Sequence, residues 1–425
     1  MAGQSTARLA SPSAFGWFYC YFALIMVCFS ASAYADSWLP AQPRTYTAPN
    51  GALRLTVTPR EISNQLRYFA DASRNKTKPG QKAGAPEQAT FRLERRDSAQ
   101  NWQLVSSGPL VNDVAPVHAI VANDGSYFVT LDNWHSMGFG DNAVAIYRSD
   151  GALVRKLALV DFMPESYVKA LPRSVSSLHW RKGERIDETA QTVVIDVVIP
   201  SQQVDGELTG PGKIEARLSL IDGSLQNGNN PNWLAAMDLG ATEARRLEAE
   251  TKRQRAEFLA PLLAPAGSDE RAWHLYLVEV FFRIDPDWSD GYPNTEVLRD
   301  PKRTDYTASE KWLREALLQT ETNADVIAIA SPASQDNLVA VLTKIAPRMK
   351  AGSLASARIY VAADQAHGRQ ITDLLSRSQA NVIILDPTVP IPQRAARIEG
   401  TPEFEQAQQE SRKRTEKDIE AMLAQ

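Results

Sequence analysis

The chain has 425 residues, 44% of them hydrophobic and 23% charged, with 46 basic and 50 acidic side chains for a formal net charge of −4. That length and apolar content suffice for two or three buried cores and exclude a disordered or fibrous polypeptide. So mild an acidic balance lacks the concentrated basic face of a nucleic-acid binder, and nucleic acid is not an expected partner.

The first 35 residues read as a cleavable export signal. Arg8 and the terminal amine make a small positive region, Phe15 to Phe29 an apolar core, and Ala33-Tyr34-Ala35 a small-x-small cleavage site. The apolar core is 15 residues long, shorter than the roughly 20 of a spanning helix, and no later stretch is apolar enough to leave a membrane span after cleavage. Both cysteines, Cys20 and Cys28, lie in this leader. From Asp36 onward the expectation is a periplasmic or secreted protein without thiols, disulfides or cysteine-held metal.

Residues 36–225 alternate like strands. Leu53 to Val57, Tyr127 to Leu131, Ala143 to Tyr147 and Val193 to Ile199 are short, β-branched or aromatic, and bounded by turns. Asn50-Gly51, Asp124-Gly125, Asp150-Gly151 and Asp222-Gly223 are strong hairpin signals, expected as type I′ turns. An antiparallel β domain follows, either a partial propeller or a sandwich. The stretch from Arg74 to Glu87, rich in Lys, Gly, Pro and Gln, reads as a mobile surface loop.

The similar runs beginning at Asn50, Asp124 and Asp150 resemble the strand, Asp-Gly turn, strand hairpins of β-propeller blades, over two or three blade equivalents. With Val121-Ala122-Asn123-Asp124-Gly125, Thr130 to His135 and Gly138-Phe139-Gly140, the region is also similar to a group of uncharacterised secreted bacterial proteins. That resemblance implies no activity.

Residues 226–322 change to a helical period. Asn227-Gly228-Asn229-Asn230-Pro231-Asn232 is a linker of turn formers. Helices are expected over Thr242 to Ala260, after Ser268, and from a capping box at Thr307-Ala308-Ser309-Glu310. Residues 323–392 then read β, α, β, α, β. The near-continuous apolar runs Val326 to Ala330, Ala357 to Val361 and Asn381 to Leu385 suit buried parallel strands. The order resembles small periplasmic α/β modules such as the ExbD-type domain of energy-transducing complexes. Residues 393–425 form a charged, solvated terminal helix with Thr401 as cap. The expected fold class is thus multidomain α+β: an N-terminal antiparallel β domain, a helical connector and a small C-terminal α/β domain.

Three polar groups invite a chemical reading. Asp132, Trp134, His135 and Asp141 surround a glycine-bearing loop suited to a ligand, although Asp132 and His135 alone are too few for a metal, and such side chains also satisfy backbone groups in hairpins. Asp285, Asp287, Ser289 and Glu296 stand at calcium-loop spacing, but Asp290 occupies the position where such a loop needs glycine, so a plain acidic turn is the simpler account. Ser331, Asp364, His367 and Asp386 follow the C-terminal strands, where open α/β sheets bind ligands. Ser331 lacks the nucleophile elbow, and these residue types are also favoured caps and turn formers. His118, His179 and His274 stand alone; His179 and His274, each beside a tryptophan (Trp180 and Trp273), read as partly buried packing positions. The reading these features favour is a non-enzymatic binding or scaffold protein of the bacterial envelope, recognising an envelope protein or small ligand, with no cofactor beyond a weak calcium case. Its alternative is a periplasmic hydrolase or metal-dependent enzyme using the Asp132/His135 loop or the Ser331/Asp364/His367/Asp386 crevice.

Overall fold

The structure is a computed structural model that describes residues 39–200, 203–204, 207–208, 212–319 and 324–423; the leader assigned to residues 1–35 lies outside them. The chain is mixed α and β, and none of the described helices is long and apolar enough to cross a membrane. It forms two compact units, one reaching to Glu250 and including Asp418–Gln425, the other Thr251–Lys417.

The first unit is built from antiparallel sheets. Sheet 1 has the order β1 (Arg44–Thr47), β2 (Leu53–Thr58), β3 (Thr90–Arg96), β4 (Trp102–Pro109). In sheet 2 the order is β5 (Pro116–Val121), β6 (Tyr127–Asn133), β7 (Val144–Arg148), β8 (Leu153–Leu157). Sheet 3 has β10 (Thr192–Val198) between β9 (Arg181–Asp187) and β13 (Lys213–Ser219), with β11 (Gln203–Val204) and β12 (Glu207–Leu208) as a small separate hairpin.

Sheet 2 is apolar on both faces because it lies between the other two. Phe128, Ala145 and Tyr147 join Leu55, Phe91 and Leu93 of sheet 1 in one core. The alternate residues Val129, Leu131, Val144 and Ile146 join Val193, Ile195, Ala216 and Leu218 of sheet 3 in another. Period-2 alternation sends neighbouring side chains to opposite faces, so burial on both faces explains the unbroken apolar run Val144 to Tyr147 of β7 and the mostly apolar run Tyr127 to Leu131 of β6.

The hairpin positions agree with the Asn-Gly and Asp-Gly pairs, but the turn type differs. Only the glycines are left-handed, as at Gly125 (φ 75°) and Gly151 (φ 87°), and Gly125 N–H donates to Ala122 O while Gly151 N–H donates to Arg148 O. These are type I turns closed by an αL glycine rather than type I′. A side chain would not fit there in any case: a Cβ on Gly125 would come 2.7 Å from Leu53 Cδ2, and one on Gly151 2.7 Å from Phe91 Cζ.

The segment read as a mobile loop is tied down. Helix α1 (Gln65–Ser73), capped by Asn64, precedes it. The fully buried Arg60 donates to Gln81 Oε1, Pro79 O and Asp113 Oδ2, and Asp71 Oδ2 accepts the Gly80 N–H. Buried charge-assisted hydrogen bonds of this kind outweigh the local preference of glycine and lysine for disorder. A short helix α2 (Glu165–Ala170) follows sheet 2.

The 226–322 segment forms no layer of its own. Helix α3 (Pro231–Leu259) begins by burying Trp233, Ala236 and Met237 in the core of sheets 2 and 3. Its Gly240 packs on α2 so closely that a Cβ would lie 2.2 Å from Tyr167 Cδ2. The remaining elements, α4 (Glu270–Ile284), β14 (Asn294–Val297) and α5 (Tyr306–Leu318), belong to the second unit. Helix α5 begins after Asp305 rather than at Thr307, and Ser309 instead donates to Tyr306 O and accepts the Arg299 N–H.

That unit holds a four-stranded parallel sheet in chain order, β14, β15 (Val326–Ala330), β16 (Arg358–Ala362), β17 (Asn381–Leu385). β14 is the strand that periodicity misses, being four residues long with three of them polar. Helices α5, α6 (Gln335–Ile345) and α7 (Gln365–Leu375) all pack on the face carrying Ile327, Ile329, Ile359 and Val361, whereas α4 covers Val326, Ala328, Tyr360 and Ala362. Helix α8 (Pro402–Leu423) is largely exposed.

Candidate functional site

The edge strand β5 of sheet 2 meets the edge strand β1 of sheet 1 and the edge strand β9 of sheet 3. A connected series of polar side chains lies where they converge. It starts at Asp132 on β6, a residue with no exposed surface and a left-handed backbone (φ 61°). Its carboxylate accepts the Gly138 N–H (2.7 Å), the Trp180 indole N–H (2.8 Å) and Arg181 Nε (2.9 Å). Arg181 on β9 also donates from Nη1 to Glu184 Oε2 (2.7 Å), and Glu184 Oε1 lies 3.0 Å from Nε2 of His118 on β5. The imidazole in turn meets the edge of Tyr46 on β1, with ring centroids 5.1 Å apart.

Burial sets the protonation of this group. It lifts the Asp132 carboxyl above the usual range, opposed by Arg181, Trp180 and Gly138. The His118 imidazole is held below its usual value, by burial first and then by Arg181 and Arg44, against the pull of Glu184. Burial raises the Tyr46 phenol. At neutral pH the junction therefore presents a half-exposed neutral imidazole and a phenol beside two guanidinium groups. Such a set can orient a ligand through hydrogen bonds and take a partner's anionic group.

The four loop residues singled out in the sequence diverge. Asp132 enters this junction. Trp134 is buried against Tyr68 and Phe69 and donates its indole N–H to Leu39 O (2.9 Å). His135 packs on Phe69 at 4.2 Å between ring centroids. Asp141 is exposed and ion-paired with Lys156. Sequence reasoning left His118 alone and passed over Tyr46, Arg181 and Glu184. Arg181 and Glu184 stand three apart, which in a regular strand puts them on opposite faces. A bulge in β9, where Asp196 pairs with Gly183 but Val197 with Arg181, brings both to one side.

The acidic turn after α4 is engaged by cationic and hydroxyl donors. Asp285, buried, accepts from Arg358 Nε (2.8 Å) and from the Tyr360 hydroxyl (2.8 Å), and Asp287 accepts from Arg358 Nη2 (2.8 Å). Ser289 is exposed. Glu296 lies away from these on β14, where burial, with Glu315 nearby, pushes its carboxyl up to about 7. Among the described residues no group of three or more His, Cys, Asp or Glu is placed to hold a metal ion.

At the carboxyl ends of the parallel strands, Ser331 donates its hydroxyl to Ser334 O (2.7 Å). Asp364 caps α7 and lies 2.8 Å from His367 Nδ1, while Asp336 Oδ1 lies 3.0 Å from His367 Nε2. Asp336 and then Asp364 lift His367 above its usual value. A carboxylate at each nitrogen favours the protonated, double-donor form of the ring over the free base. Asp386 accepts from the Thr388 N–H and hydroxyl. Asp364 and His367 are thus brought together, Ser331 is turned to its own loop, and Asp386 closes its own turn. The sheet runs in strict chain order with its connecting helices on one face, and so lacks the reversal of strand order that makes a topological switch point.

No protein-family model and no curated protein sequence matches the chain.

Proposed function

We propose that this protein is a non-enzymatic binding or scaffold module of the bacterial envelope, exported by cleavage of residues 1–35, and that it engages its partner where β1, β5 and β9 converge. The observation that carries this reading is the meeting of three edge strands around the half-exposed His118, with Tyr46, Arg181 and Glu184 beside it. Edge strands offer backbone donors and acceptors for a partner, and the side chains among them supply selectivity. The hydroxyl, imidazole and carboxylates that invite a hydrolase reading are instead engaged with neighbouring groups of the protein itself.

The β unit reads as three blades of a propeller-like stack that ends in charge instead of closing into a ring. Outward positions of sheet 1 carry Arg54, Arg92 and Glu94 in one ion-paired group. Those of sheet 3 carry Arg185, Glu215 and Arg217 in another, with Lys213 on Asp196 beside it. Burying such faces against a further blade would desolvate every one of these charges.

Quantitative capture from an envelope fraction tests the binding reading: His118→Ala and Glu184→Gln should each lose the partner that the unaltered protein retains. Equal recovery by all three would refute it. Amino-terminal sequencing of protein from its host should begin at Asp36; a retained Met1 would refute export by cleavage.

A further inference from the structure

We propose that the outer edge of β17 pairs with β17 of a second copy of this chain, antiparallel about a two-fold axis at Ile383. The two edges of the parallel sheet are built differently. β14 is short, follows Pro293 and carries Glu296, the usual devices by which an edge is kept from pairing. The Asn-Val-Ile-Ile-Leu sequence of β17 has no charge and no proline, and Val382, Ile383 and Ile384 are each partly exposed. Its backbone pairs with β16 on one side, and among the described residues no other hydrogen bond engages Val382 to Ile384.

The occupant follows from charge. A groove of about 320 Å³ runs beside this strand, lined by Gln365, Gly368, Arg369, Thr372 and Asp373 of α7 together with Ile384. Arg369 and Asp373 are exposed, one helical turn apart, and neither forms an ion pair with a described residue. Gly368 lies directly on Ile384, since a Cβ there would come 2.6 Å from Ile384 Cγ2. Ile371, midway between Arg369 and Asp373, is about 4.5 Å along the helix from Gly368, and Ile383 is about 3.3 Å along the strand from Ile384. The midpoint of the charge pair therefore falls close to the midpoint of the strand. A two-fold axis through Ile383 that pairs the strands also sets Arg369 of each copy opposite Asp373 of the other. Such an interface is isologous, self-complementary in both backbone and charge, and extends the four-stranded sheet to eight.

Sedimentation velocity on the purified protein, from about 1 to 100 µM, tests this. The expected result is a species of twice the protomer mass. Arg369→Asp and Asp373→Arg should each raise the dissociation constant about tenfold by placing like charges across the axis, and the double swap Arg369→Asp/Asp373→Arg should restore it. Both positions are exposed, so the variants should keep the thermal melt of the parent protein at a concentration where all are monomers. A monomer throughout the range, or a dimer indifferent to both single reversals, would overturn the proposal.

Discussion

Arg181 joins two carboxylates at once, Asp132 at 2.9 Å and Glu184 at 2.7 Å, and so ties sheet 3 to sheet 2 through a pair in which Asp132 has no exposed surface. Loss of one partner leaves the other's charge buried and uncompensated, which costs about 3–5 kcal/mol. Arg181→Met should therefore destabilise the protein by that order in urea denaturation. Asp132→Asn with Arg181→Met together should cost clearly less than the sum of the two single changes, because they remove the same interaction. Additive losses would show that the pair does not act as a unit.

Gly240 lies inside α3, where a glycine ordinarily lowers stability by about 1 kcal/mol relative to alanine. Here the relationship should invert. A Cβ at 2.2 Å from the Tyr167 ring has to displace a side chain with no exposed surface, whose hydroxyl donates to Val198 O at 2.8 Å. Gly240→Ala is expected to destabilise by about 1–3 kcal/mol, the usual cost of overpacking. An unchanged or raised melting temperature would count against this packing.

The pH dependence of stability should carry the mark of Glu296. Its carboxyl is pushed up from 4.5 to about 7 by burial, with Glu315 adding to the effect. Between these values the folded protein holds a proton that the unfolded chain releases. The contribution to stability is therefore full below pH 4.5 and is lost as pH rises through 7. Glu296→Gln should remove this dependence, so that the variant gains about 2 kcal/mol over the parent protein between pH 5 and pH 8. Parallel stability curves for the two proteins would contradict the assignment.

Calcium should leave the protein unaltered. Asp285 is already filled by Arg358 and Tyr360, and Glu296 lies elsewhere on β14. A melting temperature that does not move at millimolar calcium is the expected outcome, since binding to the folded state alone would raise it. An upward shift would mean that a cation displaces Arg358.

Within the β unit, β2, β6, β7 and β10 were legible because β-branched and aromatic content bounded by turn glycines is a local signal. What lay beyond reach was tertiary. The stacking that buries β7 on both faces leaves only a continuous apolar run in the sequence, and β14 is too short to show a period. The site followed the same division. Asp132 could be singled out by its loop, but its partners Trp180 and Arg181 are 48 and 49 residues away. His118 meets Glu184 and Tyr46 only because three edge strands converge. A bulge, which no periodicity announces, decides that Arg181 and Glu184 share a side.

Site-specific photocrosslinking tests the binding reading most directly. A photoreactive side chain in place of Arg44 on β1, exposed and two residues from Tyr46 on the side that meets His118, is compared in an envelope fraction with one in place of Val105 on β4, at the opposite edge of sheet 1 and 42% exposed. The expected result is a discrete adduct from position 44 that disappears when His118→Ala is added, and none from position 105. Adducts of equal yield at both positions, or one at 44 that persists without His118, would contradict the binding reading.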